Sequence, residues 1–240
     1  VWWRLDKIEL ERYTRHILLK EIGGSGQQLL KNSCVTMVGA GGLGSIILYY
    51  LAAAGIGNIR IVDDDIVSLS NLQRQILFKN SDLGKKKVLA AKKNLLSLNP
   101  QIKIEAFDDK FNEKTSRKFI NNCDLLIDGT DNYKSKSSIC KIAFNEYIPL
   151  VYGGLSQWEG QVCVFDPKST SICFGCIFPN DPGQEFEESC LNFGIIGPTV
   201  GVIGSLMAAE VIKFLTFCGK PIMNKILTYD CLQGEFKEFG

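Results

Sequence analysis

The fold is decided by residues 34–65, CVTMVGAGGLGSIILYYLAAAGIGNIRIVDDD. The run CVTMV (34–38) has the length and apolar character of a buried strand, and NIRIV (58–62) repeats that character. Between them lie GAGGLG (39–44) and then IILYYLAAAG, which predicts a helix that ends at Gly55, a natural C-terminal cap. A strand, a glycine loop, a helix and a second strand in this order predict the first unit of a parallel sheet.

The glycine loop predicts a nucleotide site. Gly39, Gly41 and Gly44 have the spacing G-x-G-x-x-G, and Gly42 lies within the same loop. Glycine lets the backbone turn tightly and approach a phosphate, while the helix N-terminus supplies unpaired N–H groups and a partial positive charge. Asp63 follows Gly44 by 19 residues and is placed to accept a hydrogen bond from a ribose hydroxyl. The alternative is an ordinary glycine-rich turn, and the pattern does not say which nucleotide is bound.

Strands and helices continue to alternate as far as Tyr152, and the pattern then changes. Before this region, the first 30 residues have helical spacing. Further strands are predicted at 102–107, 123–127, 149–152, 160–165 and 225–229, and helices at 84–98, 114–121, 133–146 and about 197–217. We therefore predict an α/β fold, a Rossmann-like doubly wound, mostly parallel sheet with an antiparallel extension in the C-terminal half. We expect a single domain over 1–240, with an N-terminal helical segment (1–30), a nucleotide-binding half (31–152) and a second half (153–240).

Composition excludes several classes of function. The 27 Lys and Arg against 26 Asp and Glu leave a net charge of +1, so no nucleic-acid-binding surface is expected. The longest apolar run, 46–56, is shorter than the ~18 residues of a membrane span, so no membrane is expected. The single histidine, His16, argues against a Ser-His-Asp hydrolase or a histidine-rich metal site. Nine cysteines, an odd number, favour a reducing, cytoplasmic setting, although a chain beginning at Val1 leaves a removed targeting segment open.

Two further segments carry charges or amides that suit a polyphosphate. Asn71, Arg74 and Gln75 follow the second strand, and three lysines, 85–87, stand at the start of a predicted helix. Lysine at a helix N-terminus opposes the helix dipole, and such broken rules concentrate at functional sites. A run of charges is more often a solvated face, but arginine and lysine together suit a triphosphate tail.

The segment GTDN (129–132) follows the fourth predicted strand, at the sheet edge where ligands bind in open α/β folds. Asp131 could hold Mg²⁺, which prefers one or two carboxylates plus phosphate oxygens. Asp131 could instead cap the following helix, where aspartate is also favoured. Asn132 belongs to the same predicted site.

Taken together, these motifs resemble the MoeB/ThiF/HesA family, the adenylyltransferases that activate ubiquitin-like sulfur carriers, and above all its molybdopterin-synthase adenylyltransferase branch. The resemblance runs from Glu9 to Phe239. The segments that carry it are RYTRHILL (12–19), VGAGGLGS (38–45), DIVSLSNLQRQ (65–75), DGTDN (128–132), CFGC (173–176) and GVIGSLMAAEVIKFL (201–215).

The resemblance implies ATP with Mg²⁺ as the nucleotide and a ubiquitin-like protein, ending in Gly-Gly, as the partner. The carrier's C-terminal glycine would be adenylated with release of pyrophosphate, and residues 153–240 would be the carrier-binding half. The resemblance also implies roles for individual residues: Gly41, Asp63 and Asp65 in the nucleotide cradle, Asn71, Arg74 and Lys87 on the phosphates, Asp131 on the metal, and Arg15 on the γ-phosphate of a neighbouring subunit. The last match implies a homodimer.

Three cysteines are tied to further expectations. Cys173 and Cys176 have zinc-site spacing, and relatives often complete a four-cysteine Zn²⁺ site with a second pair, which these 240 residues do not contain. The alternative is two thiols in a turn. Cys190 matches a cysteine that some relatives use for a covalent bond, but the glutamates of the segment EFEES (185–189) before it would raise its pKa.

Two other functions compete with this interpretation. An NAD(P)-dependent oxidoreductase could use the same sheet, but would leave SNLQRQ (70–75) and the lysines at 85–87 unexplained. The chain could also be the non-catalytic subunit of a paired activating enzyme. A scaffold has no physical need for Arg15, Arg74, Lys87 and Asp131 together.

Overall fold

The computed structural model describes residues 5–169, 172–179 and 194–240. Within them one eight-stranded sheet has the order β3-β2-β1-β4-β5-β6-β7-β8. The strands are β1 Cys34–Val38, β2 Asn58–Val62, β3 Lys103–Phe107, β4 Leu125–Asp128, β5 Leu150–Ser156, β6 Glu159–Phe165, β7 Ile226–Asp230 and β8 Glu235–Phe239. Neighbours from β3 to β5 are parallel, and β6, β7 and β8 are added antiparallel. The predicted mixed sheet is therefore confirmed.

The helices cover both faces of the sheet. They are α1 Lys7–Arg12, α2 Thr14–Ile17, α3 Gly23–Asn32, α4 Gly42–Ala54, α5 Lys87–Leu98, α6 Ser116–Ile120, α7 Tyr133–Asn145, α8 Phe174–Ile177 and α9 Gly197–Thr216. One buried cluster joins α4, α5 and α9 to the sheet, and a second lies on the opposite face beneath α7 and α8. The mostly apolar sequence of β1 fits this arrangement, because its five residues are all buried, and the one polar side chain, Thr36, donates its hydroxyl to the carbonyl of Phe119 at 2.7 Å.

Several details differ from the predictions: β5 runs to Ser156 instead of ending at 152, and the short helix α8 was not predicted. Two further differences have a local cause. Strand β8 was not predicted, because its five residues, EFKEF, are all exposed at the open edge of the sheet and the adjacent charges of Lys237 and Glu238 break the alternation of a half-buried strand. Helix α5 was predicted from residue 84 but begins at Lys87, since Gly84 takes a left-handed φ of 77° and Lys86 is extended at the N-cap.

Helix α9 is the core helix of the second half. Of the helices in the described ranges, it alone has the length and hydropathy that could cross a membrane, and just over half of it is buried inside the protein. Its sequence is not an uninterrupted apolar run, because Glu210 and Lys213 interrupt the segment. Here those two side chains pair with each other, and Glu210 also accepts a hydrogen bond from the N–H of Ile222 at 2.8 Å.

The N-terminal helices are attached to the back of the nucleotide-binding half. The hydroxyl of Tyr13 accepts a hydrogen bond from Asn99 Nδ2 at 2.8 Å, and the same amide donates to the carbonyl of Ala52. Gln27 donates to the carbonyl of Ala54 at 2.8 Å. These buried bonds fix the segment that carries Arg15.

Candidate nucleotide site

The carboxyl ends of β1, β2 and β4 open into one cavity of about 460 Å³. In the sheet, β1 has β2 on one side and β4 on the other. The cavity therefore lies at the point where the order of the strands reverses direction. Open parallel sheets form their ligand crevices at this point.

The glycine loop lies at the floor of the cavity. Gly39 has a left-handed φ of 88°, which a residue with a side chain rarely adopts. A Cβ on Gly44 would overlap the carbonyl oxygen of Gly39, so the helix can approach the strand only without a side chain there. Helix α4 begins immediately at Gly42 with Gly41 as its N-cap, and both line the cavity. A ligand in the cavity therefore meets the positive end of this helix.

Asp63 ties this loop to the end of β2. Its Oδ2 accepts a hydrogen bond from the N–H of Ala40 at 2.7 Å, and its Oδ1 accepts one from the N–H of Asp65 at 2.9 Å. Burial raises the pKa of Asp63, and the nearby charge of Lys87 opposes that rise. Each carboxylate oxygen keeps a second lone pair, so the group can still accept from a ribose hydroxyl.

Lys87 is one of two buried lysines among the described residues that line the cavity; the other is Lys136. Lys87 is 5% exposed, and its Nζ donates to Asp65 Oδ2 at 2.8 Å. The other two lysines of the triple run do not line the cavity: Lys85 pairs with Asp82 at 3.3 Å and Lys86 with Asp108 at 3.1 Å. The reading of all three lysines as one phosphate cradle was therefore too broad.

Arg74 and Gln75 line the cavity directly beside the glycine loop. Arg74 is half-buried and donates to the carbonyl of Ser70 at 3.1 Å. Gln75 is 4% exposed, and its Oε1 has no hydrogen-bond partner among the described residues. Because a buried amide oxygen without a partner is costly, this atom suits a donor on a bound ligand.

Asn71 does not line the cavity, in contrast to its predicted phosphate contact. Its Oδ1 accepts a hydrogen bond from the N–H of Ser68 at 3.2 Å, which closes a short turn. Its carbonyl accepts from the N–H groups of Arg74 and Gln75 at 3.1 and 2.9 Å. In this structure Asn71 therefore orients the two residues that do line the cavity.

Asp131 and Asn132 lie at the rim of the cavity after β4. Asn132 is the N-cap of α7 and accepts from the N–H of Ser135 at 2.9 Å, so the alternative role of Asp131 as the helix cap is wrong. The Asp131 carboxylate is exposed, and its one hydrogen bond in the described structure comes from Asn132 Nδ2 at 3.4 Å. A single available carboxylate beside a phosphate site fits the ligand preference of Mg²⁺.

Arg15 lies outside the cavity of its own chain. It is exposed on α2, within the N-terminal segment that packs at the C-terminal ends of α4 and α5. Nothing in its own cavity contacts it, so a role on the nucleotide needs a second copy of the chain.

The cysteine expectations have different outcomes. Cys173 Sγ and Cys176 Sγ are 2.9 Å apart, and the described residues contain no group of three or more potential metal ligands. The described part of the chain therefore does not fit a four-ligand zinc site. Cys190 lies outside the described residues.

Sequence reasoning missed a buried pair beside the nucleotide cavity. Asp128 is fully buried; its Oδ1 accepts from both the N–H and the hydroxyl of Thr130, at 2.9 and 2.6 Å. Its Oδ2 faces the ammonium of Lys136, 3.4 Å away. Asp128 stood within the DGTDN motif, but Lys136 follows one turn into α7, where a lysine carries no sequence signal of its own.

The site can hold a polyanion and a ribose together. Arg74, Lys87 and the N-terminus of α4 supply positive charge, and Asp63 and Asp131 supply acceptors at separate places. Charge-assisted hydrogen bonds of this kind are stronger than neutral ones and suit phosphate oxygens.

Comparisons with known proteins agree with this chemistry. The model of the ThiF family matches residues 13–240. The sulfur carrier protein adenylyltransferase of Thermus thermophilus is 38% identical over 239 residues, which cover 98% of this chain and 88% of that protein. The molybdopterin-synthase adenylyltransferase of Escherichia coli is 39% identical over 237 residues, with 98% and 93% covered.

A longer protein and a solved structure of lower sequence identity also match. The adenylyltransferase and sulfurtransferase MOCS3 of Dictyostelium discoideum is 39% identical over 95% of this chain, which spans 54% of its length. The crystal structure of Escherichia coli MccB with ATP superposes with a TM-score of 0.85 at 25% identity, covering 98% of this chain and 72% of that one.

Proposed function

Since this chain belongs to the ThiF family, we propose that it is an ATP-dependent adenylyltransferase that activates the C-terminal glycine of a ubiquitin-like sulfur-carrier protein. One observation carries the proposal: Arg74, Lys87 and the N-terminus of α4 surround the same cavity. Two phosphates of a dinucleotide would need little beyond the glycine loop. The added cations suit the longer, more highly charged tail of ATP.

In the proposed reaction, a carboxylate oxygen of the carrier attacks the α-phosphorus of ATP. A new P–O bond forms, the bond to the bridging oxygen breaks, and pyrophosphate leaves, giving the acyl-adenylate. No general base is required because a carboxylate is already ionised near neutral pH. This agrees with the position of His16, whose Nδ1 lies 3.0 Å from Gln27 Oε1 among the N-terminal helices.

The residues of the cavity have distinct tasks in this reaction. Arg74 and Lys87 neutralise phosphate oxygens and the charge that grows on pyrophosphate, which lowers the barrier by electrostatic preorganisation. Asp63 accepts from the ribose and Gln75 Oε1 accepts from a ligand donor. Asp131 would hold Mg²⁺, which supplies further neutralisation of phosphate charge when bound.

We further propose a homodimer in which Arg15 acts in the site of the partner copy. Arg15 is exposed and does not line the cavity of its own chain. Ile8, Leu18 and Leu19, on the same segment, are 62%, 70% and 49% exposed. Apolar side chains exposed together are typical of a surface that a partner covers.

Exchange of labelled pyrophosphate into ATP tests the proposal, with and without a carrier ending in Gly-Gly. Lys87→Ala and Arg74→Ala should each reduce carrier-dependent exchange about 100-fold or more, because each removes a preorganised charge from the reacting phosphates. Lys93→Ala is the matched control, since Lys93 is exposed on the same helix as Lys87. Near-normal exchange in the two cavity variants would refute their roles.

A thermal-shift assay distinguishes ATP from NAD as the nucleotide that the protein binds. ATP with Mg²⁺ should raise the melting temperature of the protein, and NAD should not. Stabilisation by NAD alone would favour an oxidoreductase. A pull-down of small proteins ending in Gly-Gly, repeated with ATP and Mg²⁺, would then identify the carrier.

A further inference from the structure

Lys136 lies at the junction of two cavities. One is the nucleotide cavity; the other is a groove, also of about 460 Å³, along β5, β6, β7 and β8. Lys136 and Leu155 are the two described residues that line both. Lys136 is therefore the positive charge at the passage from the groove into the nucleotide cavity.

The ammonium of Lys136 is held in place by its surroundings. Its Nζ donates to the carbonyl of Gly153 at 2.6 Å and to Asp128 Oδ2 at 3.4 Å, and it lies 4.9 Å from the centre of the Tyr152 ring. Lys136 is 8% exposed. An ammonium has three N–H groups, so two oxygen partners leave one N–H for a ligand.

Fold stability alone gives little reason for a charged pair at this place. Removing two charges from water offsets most of their attraction, so a buried ion pair stabilises a fold weakly compared with apolar side chains. Asp128 is already fixed by Thr130, which lets it orient Lys136 rather than be oriented by it.

We infer that Lys136 binds the C-terminal carboxylate of the carrier as it enters from the groove, and that Asp128 positions Lys136 for this task. The inference rests on the proposed function. One carboxylate oxygen accepts from Lys136 while the other faces the α-phosphorus and forms the new P–O bond. No proton moves. The cation offsets the repulsion between the entering carboxylate and the phosphates, which Arg74 and Lys87 cannot do while they hold the phosphates themselves.

The test measures kcat/KM for the carrier and the binding of ATP in separate assays. Lys136→Met alone would leave Asp128 buried without its partner, so the main variant is Asp128→Asn with Lys136→Met, in which Asn keeps an oxygen for Thr130. Its kcat/KM for the carrier should fall about 10- to 100-fold, the effect of one charge-assisted hydrogen bond, while the ATP-induced thermal shift stays at the wild-type value. Lys136→Arg should restore much of the carrier kcat/KM. Lys134→Met, exposed on the same helix, is the control.

An unchanged kcat/KM for the carrier in the double variant would overturn the inference, and so would an equal loss for carrier and ATP. If the double variant does not fold, wild-type protein saturated with a non-hydrolysable ATP analogue is titrated with carrier ending in a carboxylate or in a carboxamide. The carboxylate should bind at least about 10-fold more tightly, and equal affinities would overturn the inference. Absence of carrier-dependent exchange in the wild type would instead overturn the proposed function itself.

Discussion

At the scale of single residues, burial changes the acidity of several thiols. Burial raises the pKa of Cys140 and of Cys163 from an ordinary value of 9.0 to about 12. A raised pKa means that the folded state favours the neutral thiol. The stability this confers is fully present below pH 9 and is lost as pH rises from 9 towards 12.

The free energy of unfolding should therefore fall above pH 9, by about 1 kcal/mol for each of these two thiols at pH 10. Chemical denaturation at pH 7, 9 and 10 measures it. Cys163→Ala should be less stable at pH 7, because it leaves a small cavity, but its stability should decline less steeply above pH 9. Equal slopes for the variant and the wild type would contradict the assigned pKa.

Cys176 differs from these two buried thiols, because its pKa is lowered. Its hydrogen bond with Cys173 lowers the pKa of Cys176, whereas burial, together with the same hydrogen bond, raises the pKa of Cys173. Cys176 is also exposed. Since the thiolate is the nucleophile, iodoacetamide at pH 7.5 should modify Cys176 well before Cys140 or Cys163. Peptide mapping by mass spectrometry follows each thiol, with Cys176→Ser as the control. Faster modification of Cys163 would show that the second apolar cluster opens readily.

At the scale of elements, α9 offers two glycines that differ in their surroundings. A Cβ on Gly204 would lie 2.7 Å from Ile46 Cβ on α4, whereas a Cβ on Gly201 would meet nothing within 4 Å. The close crossing of α4 and α9 therefore needs glycine at one position and not at the other.

Gly201→Ala should raise the free energy of unfolding by about 0.5–1 kcal/mol, because alanine favours the helix. Gly204→Ala should lower it by about 1–3 kcal/mol, because the added methyl overpacks the crossing. Denaturant midpoints of the two variants, three residues apart on one helix, give the comparison directly. A stabilised Gly204→Ala protein would mean that α4 and α9 can separate at little cost.

The elements also show how far the sequence could predict the structure. The unit β1–α4–β2 was predictable because an apolar run, a glycine spacing and Asp63 each carry a local signal. Strand β8 was not, since its exposed residues lack the apolar alternation of a half-buried strand. Lys136 was not either: a lysine in the first turns of a helix has no local signal, and its importance comes from its contacts with Asp128 at the end of β4 and with the carbonyl of Gly153 in β5. Asn71 and the Lys85–Lys86 pair were misplaced because spacing does not determine which way a side chain points.

At the scale of the whole molecule, the proposed dimer predicts complementation between two inactive variants. Arg15→Ala lacks the residue donated to the partner, and Lys87→Ala lacks a residue of its own cavity. In a mixed dimer one site is complete and the other lacks both residues. Because random reassortment yields mixed dimers in half of the molecules, equal mixing should restore about a quarter of wild-type exchange activity.

The mixture is prepared by dilution and reconcentration, and each variant alone is the control. Failure to recover activity, with mixed dimers shown by mass spectrometry, would place Arg15 outside the shared site.

The nucleotide cavity and the groove beyond Lys136 lie mainly on different strands of the sheet. Residues of the nucleotide cavity follow β1, β2 and β4, whereas the groove beyond Lys136 is lined by residues of β5 to β8 and reaches the open edge of the sheet. Strands β7 and β8 form a hairpin, Ile226–Phe239, that contributes no residue to the nucleotide cavity. Replacing this hairpin with that of a relative that acts on another protein is therefore expected to change which carrier protein is adenylated. The affinity for ATP should stay the same.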